Sequence, residues 1–234
     1  MGVAGAADLA PDLHVPARGL LFDNDGVLVD SLAAVEVSWA RWARAHDLEP
    51  EHVVGVIHGR RAADSVALLL EDPSLRAAAV DQIEAFEIED SDICPAMPGV
   101  PALLAMLPAG TWAVVTSGTR ALATARLRAA GIPLPEVVVT ADDVEVGKPD
   151  PAGYLAAARA LGVDPTQALV LEDSGSGIAA GQAAGCRVLG IGEAALDTPA
   201  DLVVRDLAGA RWAGDGLLLP AATVLRGPDA RQPR

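Results

Sequence analysis

Four short segments of the sequence carry side chains that could bind and transfer a charged group. They are Asp23 and Asp25; Thr116, Ser117 and Gly118; Lys148; and Glu172 with Asp173. Carboxylates offer oxygen ligands to a hard cation such as Mg²⁺, hydroxyls and backbone amides donate to phosphoryl oxygens, and an ammonium neutralises negative charge. The set therefore predicts phosphoryl-transfer chemistry, provided that the fold brings the four segments together.

The first pair of carboxylates follows an apolar run at residues 19–22, which is typical of a buried parallel strand. In open α/β sheets, ligands bind beyond the carboxyl ends of such strands. Gly26 allows the backbone to turn sharply after Asp25. Asp23 and Asp25 could thus supply both a cation site and an attacking oxygen. Asp and Gly are also common in turns, so a strand that ends in a plain polar turn is the alternative for this segment alone.

Lys148 is the only lysine in a chain whose lysines and arginines number 17. A compact ammonium and a planar guanidinium are not interchangeable in a tight site, so a single retained lysine indicates a specific role. The alternative is a solvated surface lysine beside Pro149.

The elements that must position these residues fall into two regions with different sequence patterns. Residues 32–46, 60–70 and 75–88 have helical periodicity without a buried strand between them, which predicts an inserted helical region. Beyond residue 99, predicted strands at 112–115, 137–139, 168–171, 188–191 and 202–204 alternate with predicted helices at 100–107, 120–130, 151–161 and 177–184. This alternation predicts an α/β fold, a doubly wound parallel sheet of Rossmann type with an inserted α-helical cap.

The boundaries of the domains follow from the same two sequence patterns. We expect a flexible leader at residues 1–17, a core formed by 18–30 and 97–221, a cap at 31–96, and a flexible tail at 222–234. Both predicted ends are rich in small or polar residues and proline, and the tail in arginine as well.

Composition excludes several classes of protein. Apolar residues make up 51% of the chain, which predicts a globular fold, and the formal net charge of −15 argues against binding nucleic acid or an anionic membrane. The two cysteines form neither a disulfide framework nor a metal motif, and the sequence shows neither a signal peptide nor a membrane-spanning run. We therefore expect a cytoplasmic protein. Separately, we expect a monomer or a weak homodimer, although the sequence does not determine the oligomeric state.

Taken in order, the motifs resemble those of haloacid dehalogenase (HAD) superfamily phosphatases with a helical C1 cap, in the β-phosphoglucomutase-like branch. The matching positions are the segment from Asp23 to Ser31, then Thr116, Lys148-Pro149, and Glu172-Asp173 with Ser174 and Gly177. Any one motif is weak, whereas the ordered set is specific and covers nearly all of residues 19–205.

The resemblance implies a role for each matching residue. Asp23 would be the nucleophile and Asp25 the general acid and base. Asp23, the backbone carbonyl of Asp25, and Asp173 would hold Mg²⁺, with Glu172 as a further ligand or a neighbouring support. Thr116, Ser117 and Gly118 would bind the phosphoryl group, and Lys148 would neutralise it together with Asp23.

The start of one cap helix resembles the His-Gly-x-Arg-x-x-Asp segment of glycerol-phosphate and 2-deoxyglucose-6-phosphate phosphatases. That resemblance implies substrate contacts from His58, Arg61 and Asp64. An arginine and an aspartate three residues apart share a helix face and could hold a polyol or sugar together. A solvated helix start with a surface ion pair is the alternative.

The function implied is a Mg²⁺-dependent phosphatase that acts on a small phosphorylated metabolite, such as glycerol phosphate or 2-deoxyglucose 6-phosphate, through an aspartyl-phosphate. A β-phosphoglucomutase-type phosphotransferase and a phosphoglycolate-type phosphatase are alternatives within the same fold. A non-enzymatic phospho-accepting receiver domain is more remote, because such domains lack a cap. A dinucleotide-binding oxidoreductase is disfavoured, because the glycines at 175–181 directly follow two carboxylates that would repel a pyrophosphate.

Overall fold

The computed structural model describes residues 11–57 and 60–227. The strands in these ranges are β1 Leu13–Pro16, β2 Gly19–Phe22, β3 Trp112–Val115, β4 Val137–Val139, β5 Ala168–Glu172, β6 Arg187–Ile191, β7 Leu202–Val204, β8 Arg211–Trp212, β9 Gly216–Leu219 and β10 Val224–Arg226. The α-helices are α1 Leu32–Ala45, α2 Pro50–Ile57, α3 Ala62–Leu69, α4 Pro73–Glu89, α5 Val100–Leu104, α6 Arg120–Ala129, α7 Ala152–Leu161 and α8 Gly175–Ala183.

A seven-stranded sheet with the order β10-β7-β6-β5-β2-β3-β4 forms the centre of the fold. Its neighbouring strands are parallel, except that β10 is antiparallel to β7. β2 lies between β3 and β5, and all four of its residues are buried, which explains why its sequence is a continuous apolar run. The carboxyl ends of β2, β3 and β5 therefore meet at one edge of the sheet. The predicted α/β fold is confirmed.

Both faces of this sheet are covered by apolar side chains. Successive residues of a strand point to opposite faces, so Leu20 and Phe22 pack in one hydrophobic cluster and Leu21 packs in the other. Within the described ranges, none of the helices has the length and apolar character needed to cross a membrane.

Helices α1–α4 lie between β2 and β3 in the chain and share a hydrophobic cluster of their own. Trp39, Trp42 and Ile83 are buried in it, and the indole N–H of Trp42 donates to the carbonyl of Ala79 at 2.8 Å. This is the region predicted as a cap over residues 31–96, and those boundaries stay a prediction. The short helix α2 was not predicted, because Gly55 interrupts an otherwise weak helical pattern.

The structure corrects two predictions about the ends of the chain. The flexible leader over residues 1–17 is wrong for Leu13–Pro16, which pair with β9 in a separate three-stranded antiparallel sheet. The flexible tail over residues 222–234 is wrong for Val224–Arg226, which extend the central sheet as β10. β9 lies at the opposite end of the chain from β1, and β8 and β9 lie between β7 and β10 in the sequence. Local composition does not reveal such partners.

Candidate active site

Asp23 lies at the carboxyl end of β2, at the edge of the sheet where β3 and β5 also end. Its backbone N–H donates to the carbonyl of Leu171 on β5 at 2.9 Å, which fixes it against the neighbouring strand. The chain then turns at Gly26, whose φ is +76°, and the Gly26 N–H donates to the carbonyl of Val29 at 2.8 Å. This turn places Asp25 beside Asp23 in the lining of the same cavity.

Lys148 is the central cation of this edge. Its Nζ donates to Asp23 Oδ1 at 2.5 Å, to Glu172 Oε1 at 2.6 Å and to the carbonyl of Val115 at 3.2 Å. The Lys148 side chain is only 8% exposed. Burial by itself lowers the pKa of Lys148, but the carboxylates of Asp23 and Glu172 outweigh it and raise this pKa well above the usual value. The ammonium therefore stays charged.

Glu172 is fully buried and accepts four hydrogen bonds. Lys148 and the Tyr154 hydroxyl donate to Oε1 at 2.6 and 3.1 Å, and the N–H and hydroxyl of Ser174 donate to Oε2 at 2.8 and 3.0 Å. These bonds use the acceptor positions that a carboxylate normally has. Of its two predicted roles, metal ligand and neighbouring support, the geometry favours the support of Lys148.

The carboxylate oxygens of Asp23, Glu172 and Asp173 come within 4.8 Å of one another. Burial, followed by the negative charge of Glu172, raises the pKa of Asp173 to about 7, against the opposing charge of Lys148. Burial likewise raises the pKa of Asp23. A cluster with this much negative charge, made of oxygen donors, fits a divalent cation such as Mg²⁺. Because Glu172 is already saturated, Asp23 and Asp173 are the side chains that fit this cation best, and Asp25 belongs to the same loop.

Thr116, Ser117 and Gly118 follow β3 and line the same cavity. The Thr116 N–H donates to the carbonyl of Val139 at 2.9 Å, and its Oγ1 accepts from the Gly118 N–H at 3.0 Å. The Gly118 amide is thus used inside the loop, whereas the Thr116 hydroxyl keeps its own proton for donation. The loop ends at Thr119, whose side chain caps the N-terminus of α6.

Arg61 joins the helical region to the sheet domain. Its NH1 donates to the carbonyl of Glu145 and its NH2 to the carbonyl of Val144, both at 3.0 Å. These carbonyls lie just before Gly147, where an added Cβ would stand 2.5 Å from Arg61 Nε. Two of the nitrogens that were predicted to hold a substrate are therefore bound to the backbone in this conformation.

The structure also bears on the other residues of the predicted cap segment. Arg61 precedes α3 as its N-cap residue with extended backbone, and Asp64 lies in the first turn of that helix; their joint contact with a substrate stays a prediction. Asp64 is exposed on the first turn of α3 and is not part of the cavity lining. His58 lies outside the described residues.

A cavity of about 1180 Å³ separates the edge of the sheet from the helical region. Its floor includes Asp23, Asp25, Thr116, Lys148 and Asp173, so the structure brings the predicted core residues to one place. Its helical wall combines the apolar side chains of Trp39, Ile57 and Val80 with the charged side chains of Arg60, Arg61, Glu84 and Glu87. A substrate can thus place a charged group on the floor and an uncharged part against the wall.

Arg126 is a residue of this site that sequence reasoning missed. Its NH1 donates to Asp25 Oδ1 at 2.8 Å and its NH2 to Glu87 Oε1 at 2.9 Å, while only 4% of its side chain is exposed. Burial raises the pKa of Glu87, against the opposing charge of Arg126. A signal was present in the sequence: Arg126 stands four residues after Leu122 and three after Ala123, inside the apolar stripe of α6.

Comparisons with known proteins show which family this chain is similar to. Hexitol phosphatase A of Escherichia coli (strain K12) is 45% identical over 198 residues, which cover 81% of this chain and 91% of that protein. Glycerol-1-phosphate phosphohydrolase 2 of Saccharomyces cerevisiae (strain ATCC 204508 / S288c) is 36% identical over 191 residues, or 76% of each chain. A crystal structure of mutant CbbY from Rhodobacter sphaeroides, in complex with xylulose-(1,5)bisphosphate, has the same fold with a TM-score of 0.75, at 24% identity over 86% of this chain and 100% of that one.

Residues 17–185 match the family described as haloacid dehalogenase-like hydrolase, which confirms the resemblance predicted from the motifs. This match spans well over half of the chain and includes each of the four motif segments at the edge of the sheet. The chain therefore belongs to the haloacid dehalogenase-like hydrolase family.

Proposed function

We propose that the protein is a Mg²⁺-dependent phosphatase that hydrolyses small sugar or polyol phosphates through an aspartyl-phosphate on Asp23. The observation that carries the proposal is the buried contact between Lys148 Nζ and Asp23 Oδ1 at the floor of the cavity. A permanently charged ammonium beside a carboxylate reduces the repulsion that this carboxylate would exert on an incoming phosphate. The carboxyl group of Asp25, 29% exposed, is the second reactive group of the same loop.

Asp23, Asp173 and the backbone carbonyl of Asp25 would hold Mg²⁺. When bound, this cation supplies positive charge to the phosphoryl oxygens and compensates the excess of carboxylates. The crowding of Asp23, Glu172 and Asp173 around a single lysine supports the assignment.

Asp23 and Asp25 would have different roles in a reaction of two steps. An oxygen of Asp23 attacks phosphorus, the bond from phosphorus to the ester oxygen breaks, and the Asp25 carboxyl gives its proton to that oxygen, which leaves as an alcohol. A water molecule then attacks the phosphorus, Asp25 accepts a proton from this water, and the bond from Asp23 to phosphorus breaks to release phosphate. Asp25 is protonated again at the end, so each cycle consumes one water.

The phosphoryl oxygens would be held by the floor of the cavity. The hydroxyl of Thr116 retains a proton to donate to a phosphoryl oxygen. Lys148 lies between Asp23 and Glu172, where its positive charge can compensate the negative charge of the phosphoryl group. Phosphoryl transfer depends mainly on such positioning and charge compensation. Glu172 contributes by holding Lys148 in place.

The helical wall of the cavity supports a polyol or sugar as the leaving group. The indole of Trp39 and the side chains of Ile57 and Val80 offer apolar surface to C–H groups, and the carboxylate of Glu84 can accept a hydrogen bond from a substrate hydroxyl. The space is ample for a six-carbon chain. The names of the two curated relatives, which refer to hexitol and glycerol 1-phosphate, support the same class.

The test is phosphate release from a panel of esters, with Mg²⁺ and with EDTA. The panel contains hexitol phosphates, glycerol 1-phosphate, 2-deoxyglucose 6-phosphate, phosphoglycolate and β-glucose 1-phosphate. We expect Mg²⁺-dependent release that is fastest with polyol or sugar phosphates, and loss of more than about 10³-fold in Asp23→Asn, because the nucleophile is removed. Asp197→Asn, at an exposed carboxylate that is not part of the cavity lining, is the matched control and should retain full activity.

Other outcomes would replace this proposal. Conversion of β-glucose 1-phosphate without net phosphate release indicates a mutase, and a preference for phosphoglycolate indicates the corresponding phosphatase. A phosphorylated Asp23 that persists without turnover of any ester indicates a receiver-like phospho-acceptor.

A further inference from the structure

A buried guanidinium connects the loop that contains Asp25 to the helical region. Arg126, in the last turn of α6, contacts Asp25 on the sheet side and Glu87 on α4 at the same time. The side chains of Arg126 and Glu87 are 4% and 8% exposed. The two acidic partners stand 101 and 39 residues away from Arg126 in the sequence, so only the fold brings the three together.

This arrangement is a costly way to hold a fold together. Removing charged groups from water carries a penalty that their mutual attraction repays only in part, and apolar residues of similar volume often stabilise a core at least as well. An ion triad at this depth is therefore better explained by what it orients than by what it stabilises. The planar fork of arginine suits this use, because its two terminal nitrogens can reach two different carboxylates.

On the sheet side, the contact limits the freedom of Asp25. Arg126 binds Oδ1, while Oδ2 lies 3.3 Å from the side-chain amide of Asn24. The carboxyl group is still 29% exposed and lines the cavity. A general acid must stay within hydrogen-bond reach of the oxygen that it protonates, so its orientation affects the rate directly.

On the helical side, the contact depends on where α4 is docked. Glu87 comes from α4, and a second bond joins the same two helices, in which the Thr119 hydroxyl donates to Glu84. Glu84 and Glu87 thus contact α6 and its N-cap residue from one side of α4, because residues three apart on a helix share a face. If α4 shifted away from α6, Arg126 would lose one of its two partners.

We propose that Arg126 is a positioning residue that orients Asp25 for proton transfer, and that Glu87 makes this orientation depend on the docking of α4. The inference rests on the proposed function, because it assigns Asp25 the role of general acid. Beyond the proposed function, it implies that closure of the helical region over a substrate brings the Asp25 carboxyl into its orientation for proton transfer.

The test compares two substrates that differ in their need for an acid. A polyol phosphate has an alkoxide leaving group that must be protonated, whereas the nitrophenolate of p-nitrophenyl phosphate leaves as an anion. In Arg126→Met we expect kcat to fall about 10²-fold with the polyol phosphate and less than about 5-fold with p-nitrophenyl phosphate, with KM little changed. Arg126→Lys should lie between these values, because a single ammonium cannot bridge both carboxylates in the same way.

Glu87→Gln tests the link to α4 while it keeps the shape of the side chain. It should reduce kcat with the polyol phosphate by a smaller factor, about 10-fold, and spare p-nitrophenyl phosphate. Arg128→Ala removes a charge from the exposed side of the same helix and should change neither rate. Equal losses on both substrates in Arg126→Met would overturn the positioning role, and wild-type rates in Glu87→Gln would overturn the link.

A measurement without turnover separates this inference from the proposed function. The urea midpoints of Arg126→Met, Glu87→Gln and the double variant should show that the double variant loses less than the two single losses combined, because the residues share one contact. Additive losses would overturn the triad. A wild-type protein that releases phosphate from no ester would refute the proposed function instead. The urea midpoints would then still show whether Arg126 and Glu87 interact.

Discussion

Gly26 offers a sharp test of the carboxylates that we propose as Mg²⁺ ligands. Its φ is +76°, and a Cβ at this position would stand 2.6 Å from Asp173 Cγ and closer still to Asp173 Oδ2. Carbon atoms in contact normally lie about 3.5–4.0 Å apart, so the Asp173 carboxylate in Gly26→Ala must move by about 1 Å. A displacement of about 1 Å in a reacting site can cost about 10²-fold in rate, and disturbed support of metal ligands typically weakens metal binding by about 10- to 100-fold.

The assay is calorimetric titration of the protein with Mg²⁺, together with phosphate release as a function of Mg²⁺ concentration. We expect Gly26→Ala to bind Mg²⁺ about 10- to 100-fold more weakly and to lose about 10²-fold in kcat/KM. The direct titration gives an answer even where the activity of the variant is too low to measure.

Gly110 supplies the matched control. Its φ is +74°, nearly the same as that of Gly26, but no heavy atom lies within 4 Å of a Cβ placed there. Both alanine variants carry the strain of a left-handed residue, roughly 1–2 kcal/mol, which lowers Tm by a few degrees in each. Only Gly26→Ala should lose Mg²⁺ affinity. Equal Mg²⁺ affinity in the two variants would refute the reasoning, because the effect would then be backbone strain alone.

Three further predictions follow from single contacts. Lys148→Arg should lower kcat by at least about 10-fold with a native circular dichroism spectrum, because a guanidinium does not fit where one ammonium meets three oxygens within 3.2 Å. Gly147→Ala should displace Arg61 and lower kcat/KM about 10-fold, whereas Gly162→Ala, at a site with open space, should not; unchanged kinetics in Gly147→Ala would show that the Arg61 contact is dispensable. Asp72 caps α4, and hydrogen bonds from Ser74 lower its pKa, so its stabilisation is present above the unfolded value of about 4 and is lost as the pH falls through the lowered folded value. Asp72→Ala should therefore have a lower Tm than the wild type at pH 7, with a difference that closes at low pH; a constant difference would exclude the charged cap.

The sheet and the floor of the cavity were predictable because their signals are local. A strand buried on both faces must be apolar along its length, so residues 19–22, 112–115 and 168–171 are recognisable one at a time. Parallel strands place their carboxyl ends at one edge, which brings Asp23, Thr116 and Glu172 together without any knowledge of side-chain contacts. Lys148, the single lysine of the sequence, was predictable as the cation of the cavity floor because every other basic residue besides histidine is an arginine.

The helical region was less predictable, because contacts between distant segments decide what its polar residues do. The spacing of Arg61 and Asp64 suggested a shared helix face, yet the helix begins only after Arg61, and this arginine binds backbone carbonyls more than 80 residues further along the chain. Where a helix begins depends on capping and on tertiary contacts as well as on periodicity. β1 and β10 were missed for a related reason, since each is defined by the strand with which it pairs.

The sequence by itself determined which groups could do chemistry here and at which edge of the sheet they had to lie, because strand periodicity and the order of the motifs are local properties. Only the tertiary structure decided how those groups are paired: Glu172 holds Lys148, and Arg126 joins Asp25 to Glu87. Periodicity places Arg126 in the apolar stripe of α6, but it does not show which side chain 101 residues away Arg126 contacts, because that depends on how two separately formed elements pack against each other.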